Sequence, residues 1–227
     1  MGMRASPGLK ATARASRTKP RRAGEAGRHG PSALLLAAGA SSRFLGTKQL
    51  AQIGGVTLVE RALDVVPAAD VLEIVVVAGH DAAAVAKAVG ARKGVDVVVN
   101  ADYRAGMGSS IRAGISALAE DTEGVMLLLA DQPFVTRSLL RRMLRTFEAQ
   151  GARGIVAAAQ GGSVSPPAIF SRKYFGELAG IRGDKGARSV LERHAGDVAL
   201  VRVRSRRTLS DIDTRDDLNA ARRLLEP

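Results

Sequence analysis

Three stretches of the chain place small, basic or acidic residues at spacings suited to phosphate chemistry. The first is Leu36-Ala37-Ala38-Gly39-Ala40-Ser41-Ser42-Arg43-Phe44-Leu45-Gly46-Thr47-Lys48. Its small residues let backbone N–H groups approach phosphate oxygens, and Arg43 and Lys48 add positive charge. It is not a Walker loop, because the G-x-x-x-x-G-K-[ST] spacing fails and Lys48 follows Thr47. The bland counterpart is a Gly/Ser loop with two solvated cations. The second stretch, Gly106-Met107-Gly108-Ser109-Ser110-Ile111, nearly matches G-x-G-x-x-G but has Ile111 in place of the third glycine. It suits a small-residue turn opening a helix near a nucleotide, or a plain cap with Ser109 or Ser110 accepting helix N–H bonds. The third is Asp131-Gln132-Pro133, which closes the apolar run Gly124–Ala130. A carboxylate at the mouth of a buried strand is placed to bind Mg²⁺, although a turn aspartate before a proline has the same signature. Asp211 and Asp213 form a second acidic group ahead of the last helix, where Asp213 could instead be its cap.

The elements that must position these loops alternate. Strands are predicted at Ala33–Ala38, Leu72–Ala78, Val95–Val99 and Gly124–Ala130. Helices are predicted at Val56–Val66, Asp81–Val89, Ser109–Ala119 and Thr136–Gln150, the last with a basic outer face. After Gly151 the pattern loosens to strands Ile155–Ala159, Ala168–Phe170 and Ala199–Val203, two short helices, and helix Thr214–Leu225. Continuous apolar strands alternating with helices imply a Rossmann-like α/β fold with an open, mostly parallel sheet covered on both faces. Ligands in such folds sit outside the C-terminal strand ends, where all three stretches fall. One domain is expected over 33–227, with a nucleotide-binding half at about 33–135 and an acceptor-binding lobe at 151–210.

Of the net charge of +12, residues 1–32 hold +7, from eight Lys/Arg and one Glu. That segment lacks apolar periodicity and reads as a disordered basic tail. Arg21-Arg22 before Ala33–Ala38 superficially resembles a twin-arginine signal, but the apolar run is short and better used as a strand. With 3% aromatics and no Trp, the body offers little base-stacking surface, so no nucleic-acid partner is expected. Cys is absent, which removes thiolate metal sites and thiol nucleophiles. No apolar run approaches the roughly 20 residues of a membrane span, so a cytoplasmic protein with no membrane partner is expected.

The ordered set LAAG-x-S-x-R-x₄-K, DQP after a buried strand, PPAIF, GDKGAR and DIDTRDD resembles molybdenum cofactor cytidylyltransferases and their nucleotidyltransferase relatives, from about Ala33 onward. The resemblance implies that Ala38, Gly39 and Ser41 use backbone groups on a triphosphate while Arg43 and Lys48 hold its phosphates. It implies a base against Leu36, Ala37, Gly79, Gly106, Ser109 and Ser110. It also implies Mg²⁺ on Asp131 with Asp211 and Asp213 as the second acidic site. Pro166, Pro167, Asp184, Lys185 and Arg188 would face the pterin partner. LAAG, with Thr47 rather than Asp before Lys48, resembles the cytidylyl branch. Two departures stand out: Phe44 and Leu45 move Gly46 one place later than in the family's Arg-Met-Gly, and Pro166-Pro167 replaces a single proline.

The resemblance thus implies a catalytic set of Arg43, Lys48 and Asp131, with CTP as substrate, molybdopterin as acceptor and Mg²⁺ as cofactor. The partners implied are those small molecules and a molybdenum hydroxylase apo-enzyme that receives the product. Rival readings are a sugar- or alditol-phosphate nucleotidyltransferase and a non-catalytic cofactor chaperone.

Overall fold

The computed structural model describes residues 29–226 apart from Ser42, Leu45 and Arg206. Most of the basic tail and the inserted Leu45 therefore lie outside the described residues. The first strand, β1 (Gly30–Ala37), starts three residues ahead of the predicted Ala33. Ser32 is fully buried and shares a 2.9 Å hydroxyl hydrogen bond with Thr122, so a polar pair extends the strand where no apolar residue signals it.

A short hairpin, β2 (Gln52–Ile53) and β3 (Val56–Thr57), leads into α1 (Leu58–Asp64). The predicted helix Val56–Val66 thus begins late, because Thr57 is its N-cap in a reciprocal capping box with Glu60. Strand β4 (Ile74–Ala78), α2 (Ala82–Val89) and β5 (Val95–Val99) follow. Helix α3 (Met107–Ile115) ends sooner than predicted, and β6 (Thr122–Leu129) begins sooner. Helix α4 (Arg137–Ala149) is capped by Thr136. The later third contributes β7 (Ile155–Gln160), β8 (Ser163–Ser171), α5 (Phe175–Ala179), α6 (Arg188–Arg193), β9 (Val198–Arg202) and α7 (Arg215–Leu225).

Seven strands form one sheet in the order β5-β4-β1-β6-β8-β7-β9, with only β8 antiparallel to its neighbours. Residues 151–210 therefore extend the same sheet. Two apolar layers sandwich it. One packs around Val59, Met126, Met143 and Phe147, the other around Leu34, Ile111, Phe170 and Leu178. The chain runs β1, β4, β5 to one side and then returns to β6 on the other side of β1. The order reverses between β1 and β6, which is where an open parallel sheet leaves a crevice at its C-terminal edge. A third cluster of Phe44, Ile53, Leu58, Ile212, Leu218 and Ala221 lies outside the sheet and ties the loop after β1 to the segment before α7. Among the described residues no helix is long and apolar enough to cross a membrane.

Candidate active site

The crevice between β1 and β6 is bounded by the loop after each strand. After β1, Ala37 and Ala38 are buried and Leu36 half-buried, while Gly39 is exposed. Ser41 adopts a left-handed φ of 53°, and the backbone N–H of Lys48 donates to its hydroxyl at 3.3 Å. Buried Gln49 donates to the Gly39 carbonyl at 3.0 Å and closes the loop from beneath. Phe44, an apolar departure from the family pattern, is the loop's buried anchor, leaving its neighbour Arg43 outside with a side chain 73% exposed.

Lys48 brings the acidic residues together. Its ammonium lies 2.5 Å from Asp131 and 3.1 Å from Asp213, and Arg43 lies 2.9 Å from Asp213. Asp131 lies just beyond the end of β6, separated from it by Ala130, and its carbonyl accepts from Ile212 N at 2.8 Å, which fixes the acidic segment against the strand end. The cap alternatives for the two aspartates do not hold, although Asp131 does sit in a turn. Thr136 caps α4 and Thr214 caps α7 in a capping box with Asp217, while Asp131 Oδ2 and Asp213 pair with Lys48. Burial alone would lower the Lys48 pKa. The neighbouring Asp131 and Asp213 outweigh it and hold the ammonium above the usual lysine value.

Asp211 departs from expectation. Its carboxylate accepts from Gln132 Nε2 at 3.0 Å and does not reach Lys48, and the same amide is 3.2 Å from the Pro166 carbonyl. Gln132 is buried, and it joins the three segments DQP, PPAIF and DID; a neutral amide gave the sequence no hint of this. Crowding by protein atoms, and then the charge of Asp131, pushes the Asp211 carboxyl above the usual range.

The second stretch is placed beside this cluster by close backbone packing. A Cβ on Gly79 would meet Tyr103 Cβ at 2.6 Å and the Ala38 carbonyl at 2.8 Å, so only glycine fits between β4 and β1. Ser109 and Ser110 are buried and accept from Asn100 Nδ2 at 2.8 and 3.0 Å. Neither hydroxyl caps α3, and that of Ser109 donates to the Asp102 and Gly106 carbonyls, which shapes the turn. A Cβ on Gly106 would lie 2.4 Å from the Gly183 backbone, and one on Gly108 would lie 2.4 Å from the Ile181 carbonyl. The predicted nucleotide turn and the predicted acceptor loop are thus pressed together.

Within that acceptor loop, Asp184 and Lys185 are exposed. Arg188 opens α6 with a side chain 71% exposed and pairs with Glu192 at 2.9 Å one turn on. This is the solvent-facing arrangement, and nothing yet draws Arg188 to a ligand. Pro167 is buried within β8, and the Pro166–Pro167 bond is cis.

Among the described residues no three acidic or histidine side chains are grouped to enclose a metal ion unaided. The expected set of Asp131, Asp211 and Asp213 reduces to two converging carboxylates. Asp131 Oδ1 is buried and accepts no hydrogen bond, leaving one hard oxygen donor unspent. Mg²⁺ typically binds through one or two carboxylates, completed by water and substrate phosphates, so the residues present fit such an ion.

Residues 33–198 match the family described as a MobA-like NTP transferase domain. The chain is 33% identical over 194 residues to nicotine blue oxidoreductase of Paenarthrobacter nicotinovorans, spanning 80% of this chain and 91% of that one. The crystal structure of Rv0371c from Mycobacterium tuberculosis H37Rv aligns with a TM-score of 0.70 at 32% identity, over 87% of this chain and 98% of that one. A second Rv0371c structure, a complex with manganese, aligns with a TM-score of 0.69 at 31% identity, over 88% and 99%. A nucleotidyl transferase from Methanothermobacter shares the fold at a TM-score of 0.75 and 24% identity, over 88% and 99%.

Proposed function

The chain belongs to the MobA-like NTP transferases, a family of nucleotidyltransferases acting on small molecules, and from that premise we propose that it transfers CMP from CTP to the terminal phosphate of molybdopterin. The observation that carries the reading is the convergence of Arg43, Lys48, Asp131 and Asp213 at the point where the strand order reverses. A phosphate oxygen of the acceptor forms a bond to the α-phosphorus of CTP, the bond from that phosphorus to the β-phosphate bridging oxygen breaks, and pyrophosphate leaves. Both reactants are anions, so the protein's contribution is alignment and charge cancellation rather than covalent chemistry. The backbone of Ala38, Gly39 and Ser41 faces the triphosphate, and Arg43 and Lys48 take its phosphate charge. Asp131 and Asp213 would hold the Mg²⁺, which supplies Lewis-acid neutralisation typically worth several kcal/mol in the transition state. Asp184, Lys185 and Arg188 receive the pterin partner, with the Gly106–Gly183 contact keeping that loop beside the nucleotide. Ala38 stands where a second glycine would open more space for a purine, which supports cytosine rather than guanine.

One relative is a nicotine blue oxidoreductase, which makes an oxidoreductase activity a second reading. Against it, fully buried Ile111 stands where a dinucleotide fingerprint needs its third glycine, and the Lys48 cluster has no part in hydride transfer. The test is a screen of the four NTPs with molybdopterin and Mg²⁺, read by pyrophosphate release, alongside NADPH oxidation. Pyrophosphate released fastest with CTP is expected. A preference for GTP would overturn the choice of base. Release only with a sugar phosphate would move the acceptor, and NADPH oxidation or silent retention of the cofactor would favour reduction or a carrier role.

A further inference from the structure

Resting on that reading of the site, we propose that Lys48 is a tethered cation that stands in for the metal in the free protein, so that metal and nucleotide must bind together. A lysine whose only task is to hold phosphate would point its ammonium into the open crevice. Here it is turned inward: the Lys48 side chain is 14% exposed and touches both carboxylates that would hold the ion. Arg43 backs it up on Asp213. Two carboxylates and two cations thus pair with one another, with Asp211 near enough to feel their charge, and the buried Asp131 Oδ1 is left without a partner.

The consequence follows from charge. A divalent ion arriving alone has to expel Lys48 from both carboxylates, and the displaced ammonium gains only water in exchange. A triphosphate arriving alone meets Asp131 and Asp213, still negative and now bared if the two cations swing to the phosphates. Arriving together, the ion takes the carboxylates while Lys48 and Arg43 pass to the phosphates, and every charge keeps a partner. The two ligands therefore raise each other's affinity, and by thermodynamic linkage they do so equally. The loop is built for such a swing on one side only. Its base is fixed by Phe44 in the third apolar cluster and by Gln49 on the Gly39 carbonyl, while Arg43 projects into solvent.

Mn²⁺ is the probe, followed by electron paramagnetic resonance without nucleotide or acceptor. Lys48→Gln should bind Mn²⁺ about tenfold more tightly than wild type, the scale of one charge-assisted hydrogen bond no longer in competition. The same variant should lose most of the mutual enhancement between Mn²⁺ and a non-hydrolysable CTP analogue. On the wild-type protein, acetylation of Lys48 followed by mass spectrometry should quicken when Mn²⁺ is added alone, because the amine is expelled; this arm needs no variant to fold. Unchanged or weaker Mn²⁺ binding in Lys48→Gln, or slower acetylation with Mn²⁺, would overturn the proposal while leaving the transferase reading in place. That reading fails separately if wild type binds no Mn²⁺ even with the CTP analogue.

Discussion

Gln132 illustrates how single residues hold this site together. Its buried amide spans Asp211 and the Pro166 carbonyl, so one side chain keeps the strand-end loop, the β8 entry and the acidic segment in register. Gln132→Leu keeps the approximate bulk but takes the donor from the carboxylate of exposed Asp211 and the carbonyl of half-buried Pro166, a loss of about 1 kcal/mol in stability. Urea unfolding checks this, and an unchanged midpoint would show that water replaces the amide at no cost. The ion-pair residues were legible in the sequence because each is a charge in a recognisable setting: Lys48 in the small-residue loop, Asp131 at the end of an apolar run, and Asp213 in the acidic pair ahead of the last helix. Gln132, Gln49 and Asn100 were not, because a neutral amide gains its role only from burial, which depends on contacts between distant segments.

At the level of elements, the site is framed by two short structures that end in threonine caps. Thr57 opens α1 with Glu60, and Thr214 opens α7 with Asp217; both acids sit below the ordinary carboxylate range, chiefly through the threonine hydroxyl. A folded-state pKa below the unfolded one means the stabilisation is complete above the usual carboxylate range and is lost as pH falls through and beneath it. Thr57→Ala should lower stability by about 1 kcal/mol at neutral pH. The gap should narrow in part in acid, where the wild type loses the bond from the Thr57 hydroxyl to the Glu60 carboxylate but keeps the cap on the Glu60 N–H, as read by thermal unfolding across pH. A gap that widens in acid would contradict the assignment. Strands β1, β4 and β6 were readable because each carries a continuous apolar run bounded by a glycine. The hairpin β2–β3 was not, since two-residue strands leave no period to detect. The full length of β8 was missed for a different reason: Ser163–Pro167 carries prolines and serines that read as loop, yet it pairs with β7 across a bulge after Ala157.

Across the whole molecule, charge and topology point the same way. On the basic outer face of α4, Arg137 donates to the Asp64 carbonyl, Arg141 pairs with Asp70 at 3.0 Å, and Arg142 donates to the Arg202 carbonyl at 3.1 Å. These three arginines staple the helix to its neighbours. The parallel half of the sheet and its reversal point were foreseeable from alternating strands and helices. The antiparallel β8 that carries the acceptor segments into the same sheet was not, because strand direction is decided by pairing and not by composition. All of this places one carboxylate, Asp131, at the centre, and the direct measurement follows label from the α-phosphorus of CTP into the pterin dinucleotide. Wild type should transfer it with Mg²⁺ present. Asp131→Ala should fold normally, since the side chain ends a strand rather than filling the core, and should lose transfer by at least roughly a hundredfold, the scale of several kcal/mol of charge stabilisation. Label transfer at a near-wild-type rate in Asp131→Ala would contradict the account.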